Sequence, residues 1–290
     1  MLIRDVINRR DKENCELGCP QSIRSVEEIY VPSRLREANG PRDLLEALLN
    51  SMTSYVELYN QGWQLRNISN LNVRLNHVFG EAHSLNKDES HPYGLKHCRG
   101  ILIDSGDSEA VKWEEAREPG THRSVTDTLP FISQDMLDAM SWPSNTTHTA
   151  LDDLESFTWV LVWECLHKGK SLNLLSNWDL KSLDGFKDDY PQHLASFKGD
   201  FLSTCKDGGR KWRGSFLSPF KDLLARWAGI RWEAIEQMAD LEDIRHDSDS
   251  VTQVLKDIGV LCSETGHKYV RAGLEHLPKL HESWAPRNPT

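Results

Sequence analysis

The sequence predicts an α+β protein that is predominantly helical and carries one small β pair. Leu44, Leu45, Leu48, Leu49, Met52, Tyr55, Val56 and Tyr59 recur at spacings of three and four, the stripe of a long amphipathic helix. "SFTWVLVWECL" is apolar on every side, as a helix buried all round must be. Only "LNVRL" and "GILI" have the short, β-branched character of paired strands.

The elements follow in order. Residues 1 to about 40 are polar and broken by Pro20, Pro32 and Gly40, with strand character only in "EEIYVP". Pro41 suits the first turn of the long helix, and Gly62 supplies a left-handed cap after it. The two strands are separated by a polar insertion, Asn76 to Arg99, and a Glu-rich loop runs from Asp104 to about Arg123. "TLPFISQDMLDAMSW" comes next. The helix of "NTTHTALDDLESFTWVLVWECLHKG" is capped by Thr149 or Asp152, has acidic residues in its first turn, and closes at Lys168 and Gly169. "FKDLLARWAGIRWEAIEQMADL" and "VTQVLKDIGVLCSETGHKYVRAGLEHL" are helical by period, and "APRNPT" is a frayed tail.

Composition narrows the function. A net charge of −10 argues against wholesale binding of nucleic acid, which needs a basic face. The charged N-terminus has no apolar signal segment, and the longest apolar run is about ten residues where a membrane span needs roughly 20. The chain therefore reads as soluble and intracellular, in cytoplasm or nucleus. The sequons at Asn67 and Asn145 read as chance without a secretory route. Cys15, Cys19, Cys98, Cys165, Cys205 and Cys262 show no zinc-site spacing and read as reduced thiols. His148, His167, His267, His276 and His281 lack paired metal spacing and read as surface or capping residues.

"LRNISNLN", residues 65–72, carries an Arg, an Asn and a second Asn five residues on, and "RGILIDSG" ends a strand in Asp104-Ser105-Gly106. With "TDTLPFISQDML" and "DDLESFTWVLVW", these four stretches resemble, in order and spacing, the fungal-type protein kinase-like family. The likeness covers roughly residues 42 to 166. The family's loop reads H-R-D-I-S-x-N-N, so Leu65 stands for the His and Asn67 for the catalytic Asp. Arg66 and Asn72 are retained. The segment G-T-x-x-F-M-S-x-E-L-L appears with Asp127 for its Gly and Asp135 for its Glu.

The resemblance implies a kinase large lobe over 42–284, preceded by a remnant of the hinge in 1–41 and followed by a tail, 285–290. The N-lobe is largely absent: no Gly-rich loop and no strand Lys precede the first helix. It also implies roles for residues. Asn72 and Asp104 stand where the Mg²⁺ ligands of Mg-ATP belong, and Asp153 holds the loop backbone from below. Asn67, the size of Asp but neutral and a donor where an acceptor is wanted, removes a group worth about 10²–10⁴-fold in rate.

The expected function is a pseudokinase that works through contacts with a protein partner, a full-length kinase being one kind. The rival is a weakly active Ser/Thr protein kinase using Mg²⁺ and ATP, its N-lobe missing from the gene model or supplied in trans. A small-molecule phosphotransferase shares the loop logic, but "DDLESFTW" speaks against it.

Overall fold

The computed structural model describes residues 32–76, 100–103, 111–112, 129–141, 147–171, 191–206, 216–247 and 251–284. The segment containing "EEIYVP", the insertion after Asn76, Asp104, Asp127 and the terminal tail fall wholly or mainly outside them. The described structure is mostly helical with a minor β component.

Helix α1 spans Pro41–Asn60, with Pro41 in its first turn where the missing N–H costs nothing. It ends at Gly62, whose φ of 92° lies in the left-handed region that only glycine enters freely. The predicted strand pair is present as β3 (Val73–Leu75) and β4 (Gly100–Leu102), antiparallel in the register Val73 opposite Leu102. Strand β1 (Ser33–Arg34) adds to the outer side of β3, giving a three-stranded sheet of order β1-β3-β4. A second ribbon pairs β2 (Trp63–Gln64) with β5 (Val111–Lys112). The polar stretch from Asp104, read as loop, thus contributes one short strand.

Four larger helices follow the short α2 (Gln134–Ser141): α3 (Ala150–Ser171), α4 (Pro191–Lys206), α5 (Lys221–Asp247) and α6 (Val251–His276). Helix α3 runs two residues past its expected close at Gly169. Its start is a reciprocal box. Thr149 Oγ1 accepts the Leu151 N–H at 3.2 Å, and Asp152 Oδ2 accepts the Thr149 N–H at 2.7 Å. Both residues proposed as caps therefore act together. No helix among the described residues is long and apolar enough to cross a membrane.

The core lies where α3 meets α1, α5 and α6, with Tyr55, Phe157, Trp159, Trp227 and Tyr269 buried in it. Trp227 stacks on Tyr269 with ring centroids 5.5 Å apart and donates its indole N–H to the Tyr269 carbonyl. Cys165 and Cys205 are buried thiols in this core, and burial pushes both upward in pKa.

Strand β4 sits directly on α1 because Gly100 has no side chain. A Cβ there would lie 1.8 Å from the Ala47 carbonyl oxygen, a backbone atom that cannot swing aside. Gly100→Ala is therefore expected to destabilise the fold by at least about 1–3 kcal/mol, the usual cost of overpacking. Urea denaturation reads this directly. A midpoint equal to that of the parent chain would mean β4 does not seat on α1 as described.

Candidate functional site

The loop between β2 and β3 is held from α3, with α1 and the segment before α3 behind it. Asp153, on the first turn of α3, is fully buried at 0% exposure. Its Oδ2 accepts the Tyr55 hydroxyl at 2.8 Å and the Arg66 backbone N–H at 3.3 Å. His148 Nε2 donates to its Oδ1 at 3.0 Å. One carboxylate thus ties α1, the loop and the segment before α3 together. Burial disfavours a charged His148 ring, but the adjacent Asp153 carboxylate outweighs that, and the ring titrates above the ordinary histidine value. Burial, then Asp153, pushes the Tyr55 phenol far upward, so it stays a donor.

That anchor lies under a strained residue. Arg66 has φ of 59°, the left-handed region that costs a non-glycine residue about 1–3 kcal/mol when the surroundings enforce it. The bend turns the chain so that Leu65 and Ile68 are buried while Asn67 faces a small cleft. Leu65 packs into the core in place of a polar bracing residue.

Asn72 fastens the far side of the loop. Its Oδ1 accepts the Ser69 N–H at 2.7 Å and the Ser69 hydroxyl at 3.3 Å, while its Nδ2 donates to the Asn67 carbonyl. An amide oxygen holding two hydrogen bonds has no lone pair spare for a cation. The Asn72 carbonyl also accepts the Ile103 N–H at 2.7 Å, joining the loop to the end of β4. Asp104, its expected partner in metal binding, lies outside the described residues. Among the described residues, no group of His, Cys, Asp and Glu could hold a metal ion. Of the two residues expected to hold Mg²⁺, the described structure thus contains Asn72 alone, with its amide oxygen engaged within its own loop.

The cleft beside Asn67 has a volume of about 40 Å³ and is walled by Ile68, Phe131, Ile132, Met136 and Met140, with Arg66 and His148 at its polar side. Ligand sites for drug-sized molecules hold roughly 300–1,000 Å³, so this cleft is the size of a side chain.

Beneath it lies a buried charged network that the sequence did not announce. Glu155 Oε1 accepts the Gln134 N–H and the Trp159 indole N–H, each at 2.8 Å, and its Oε2 accepts from Arg231 Nε. Arg231 reaches Asp135 with Nη2 at 3.1 Å. Lys198, fully buried, donates to the Ile132 carbonyl and sits 4.3 Å from the Trp159 ring centroid. Burial pulls its ammonium well below the usual lysine value, opposed by Glu155. The carboxylates of "DDLE" are therefore structural: Asp152 accepts from Ser133 and caps α3, Asp153 anchors the loop, and Glu155 holds α2.

Of the histidines read as surface or capping, His148 belongs to the anchor itself. His276 is buried and bonds the Pro219 carbonyl at 2.8 Å, one helix end fastened to a neighbouring 3₁₀ turn.

Residues 30–165 match the family model described as fungal protein kinase. Neither the curated proteins nor the solved structures yield a match to the chain.

Proposed function

We propose that this chain, whose residues 30–165 match the fungal protein kinase family model, is a pseudokinase, a kinase-shaped binding or regulatory module. One observation carries the reading. Asn67 stands where the family places its catalytic carboxylate, in a loop whose retained Asn72 turns its amide oxygen inward to Ser69. Phosphoryl transfer depends on positioning and on charge supplied to the metal and the attacking hydroxyl. An amide at 67 supplies no charge, and an engaged Asn72 supplies no ligand. Asp153, Tyr55 and Asn72 account for the loop's persistence as a scaffold that shapes the cleft beside Met136 and Met140. In this reading the partner is a protein, met through contacts and not through turnover.

A weak Ser/Thr kinase using Mg-ATP is the second reading. It draws on the Ile103 bond to Asn72, which keeps the end of β4 against the loop. Melting the full chain with and without millimolar Mg-ATP separates the two. Nucleotide bound at a hundred times Kd adds about 2.7 kcal/mol. The expected result is no shift, together with background transfer in Asn67→Asp. A Mg²⁺-dependent rise lost in Asp104→Ala, or phosphate transfer rescued by Asn67→Asp, would instead establish a working site.

A further inference from the structure

Away from the cleft, three arginines gather on the outer face of the sheet. The register sets Arg34 directly opposite Arg74 across β1 and β3. Arg36 follows in the 3₁₀ turn Leu35–Glu37, where Lys168 of α3 donates to its carbonyl at 3.3 Å. Like charges directly opposite on paired strands repel. Among the described residues none of the three arginines forms an ion pair with a carboxylate. Arg34 and Arg36 are exposed; Arg74 is half-buried and spends its Nε–H on the Leu71 carbonyl at 2.7 Å, leaving its two terminal nitrogens.

The carboxylates that feel this cluster are Glu37, which is exposed, and Glu164 of α3, which is buried. Glu164 Oε1 accepts the Asn70 amide at 3.3 Å, while its Oε2 meets no donor. Burial holds the Glu164 carboxyl above its ordinary range despite the arginines. Burial, then Arg34 and Arg36, draws Arg74 below its own. Neither carboxyl makes an ion pair with these arginines. In a chain of net charge −10, this face is a local excess of guanidinium with no ion-paired carboxylate among the described residues.

We propose that Arg34, Arg36 and Arg74 form a docking site for a phosphorylated segment of a partner protein. Guanidinium forks bind phosphate oxygens in pairs, and a phosphoryl group presents three such oxygens to three arginines where a carboxylate presents two. The site also touches the loop. Arg74 holds Leu71, and Asn70 holds Glu164, so an occupied patch bears on the same loop that carries Asn67 and Asn72. The inference stands whether or not phosphoryl transfer survives at Asn67.

The test uses the full chain and a short Gly/Ala peptide bearing one phosphoserine, compared with its Ser and Glu counterparts and a single-stranded oligonucleotide. Binding is followed by anisotropy and by the Arg74 Nε–Hε resonance. The expected result is saturable binding of the phosphopeptide at about 1 mM or tighter, at least about tenfold weaker for the Glu peptide. Inorganic phosphate should compete, and added salt should weaken the binding. Arg34→Ala with Arg36→Ala should reduce affinity about tenfold at an unchanged melting temperature, since both side chains are exposed. Arg34→Gln alone serves if the double variant melts early. Equal affinity for the Ser peptide, tighter binding of the oligonucleotide, undiminished binding in the variants, or no saturable binding overturns the proposal.

Discussion

Replacing Arg231 by alanine is expected to cost the fold about 3–5 kcal/mol, the range for stranding a buried charge by removing its partner. Arg231 is 3% exposed and lies between Glu155, also buried, and Asp135, whose side chain is 47% exposed. Without the guanidinium, Glu155 keeps the Gln134 and Trp159 donors but loses its ion pair in a region water does not reach. Asp135 can turn to solvent, so the cost falls mainly on Glu155. Lysine should rescue only in part, because one ammonium cannot span both carboxylates as the planar fork does. Urea denaturation of Arg231→Ala, Glu155→Gln and the double variant forms the check. The double variant should lose less than the sum, since each change removes the other's unpaired charge. A single-variant loss under about 1 kcal/mol would mean the pair behaves as a surface ion pair and does not hold α3 to α5.

The same network shows where sequence reading stopped. Helix α1 was legible because apolar residues keep the helical period from Leu44 to Tyr59, although Asn50, Ser51 and Thr53 are buried beside them. Helix α4 was not singled out, for the opposite reason. Leu194, Ala195, Leu202 and Cys205 share one buried face with Lys198, and a lysine in the stripe erases the apolar period. The lysine is tolerated there because Ile132 and Trp159 receive its ammonium, which pattern cannot show. Strands β1, β2 and β5 are two residues each, too short to alternate, so only the β3–β4 pair was readable. At the site, motif order located the loop and Asp153. It did not reveal Tyr55, buried among leucines of the α1 stripe, or His148, whose partner is set by the α3 cap. The left-handed Arg66 left no signal either, since glycine is the residue that would have marked it.

Removing the Asp153 carboxylate is expected to cost at least about 1–3 kcal/mol, the penalty for a buried donor left unpaired, and here the Tyr55 hydroxyl and the Arg66 N–H both lose their acceptor. Asp153→Ala should show it as a lowered melting temperature, and an unchanged one would remove Asp153 from its anchoring role. The pH dependence gives a second reading with an unambiguous sign. In the parent chain His148 titrates above its unfolded value of 6.5, so the folded state binds the extra proton. Its contribution is then complete below about pH 6.5 and is lost as pH rises through the raised folded value. Asp153→Asn keeps the shape and removes the charge, leaving burial, the largest influence on His148, aided by Arg66 and opposed only by Asp152, and burial depresses a histidine. The slope should reverse: across the histidine range the variant gains stability with pH where the parent loses it. Parallel slopes in parent and variant would mean that His148 does not answer to Asp153, and that the loop is held by its neutral hydrogen bonds alone.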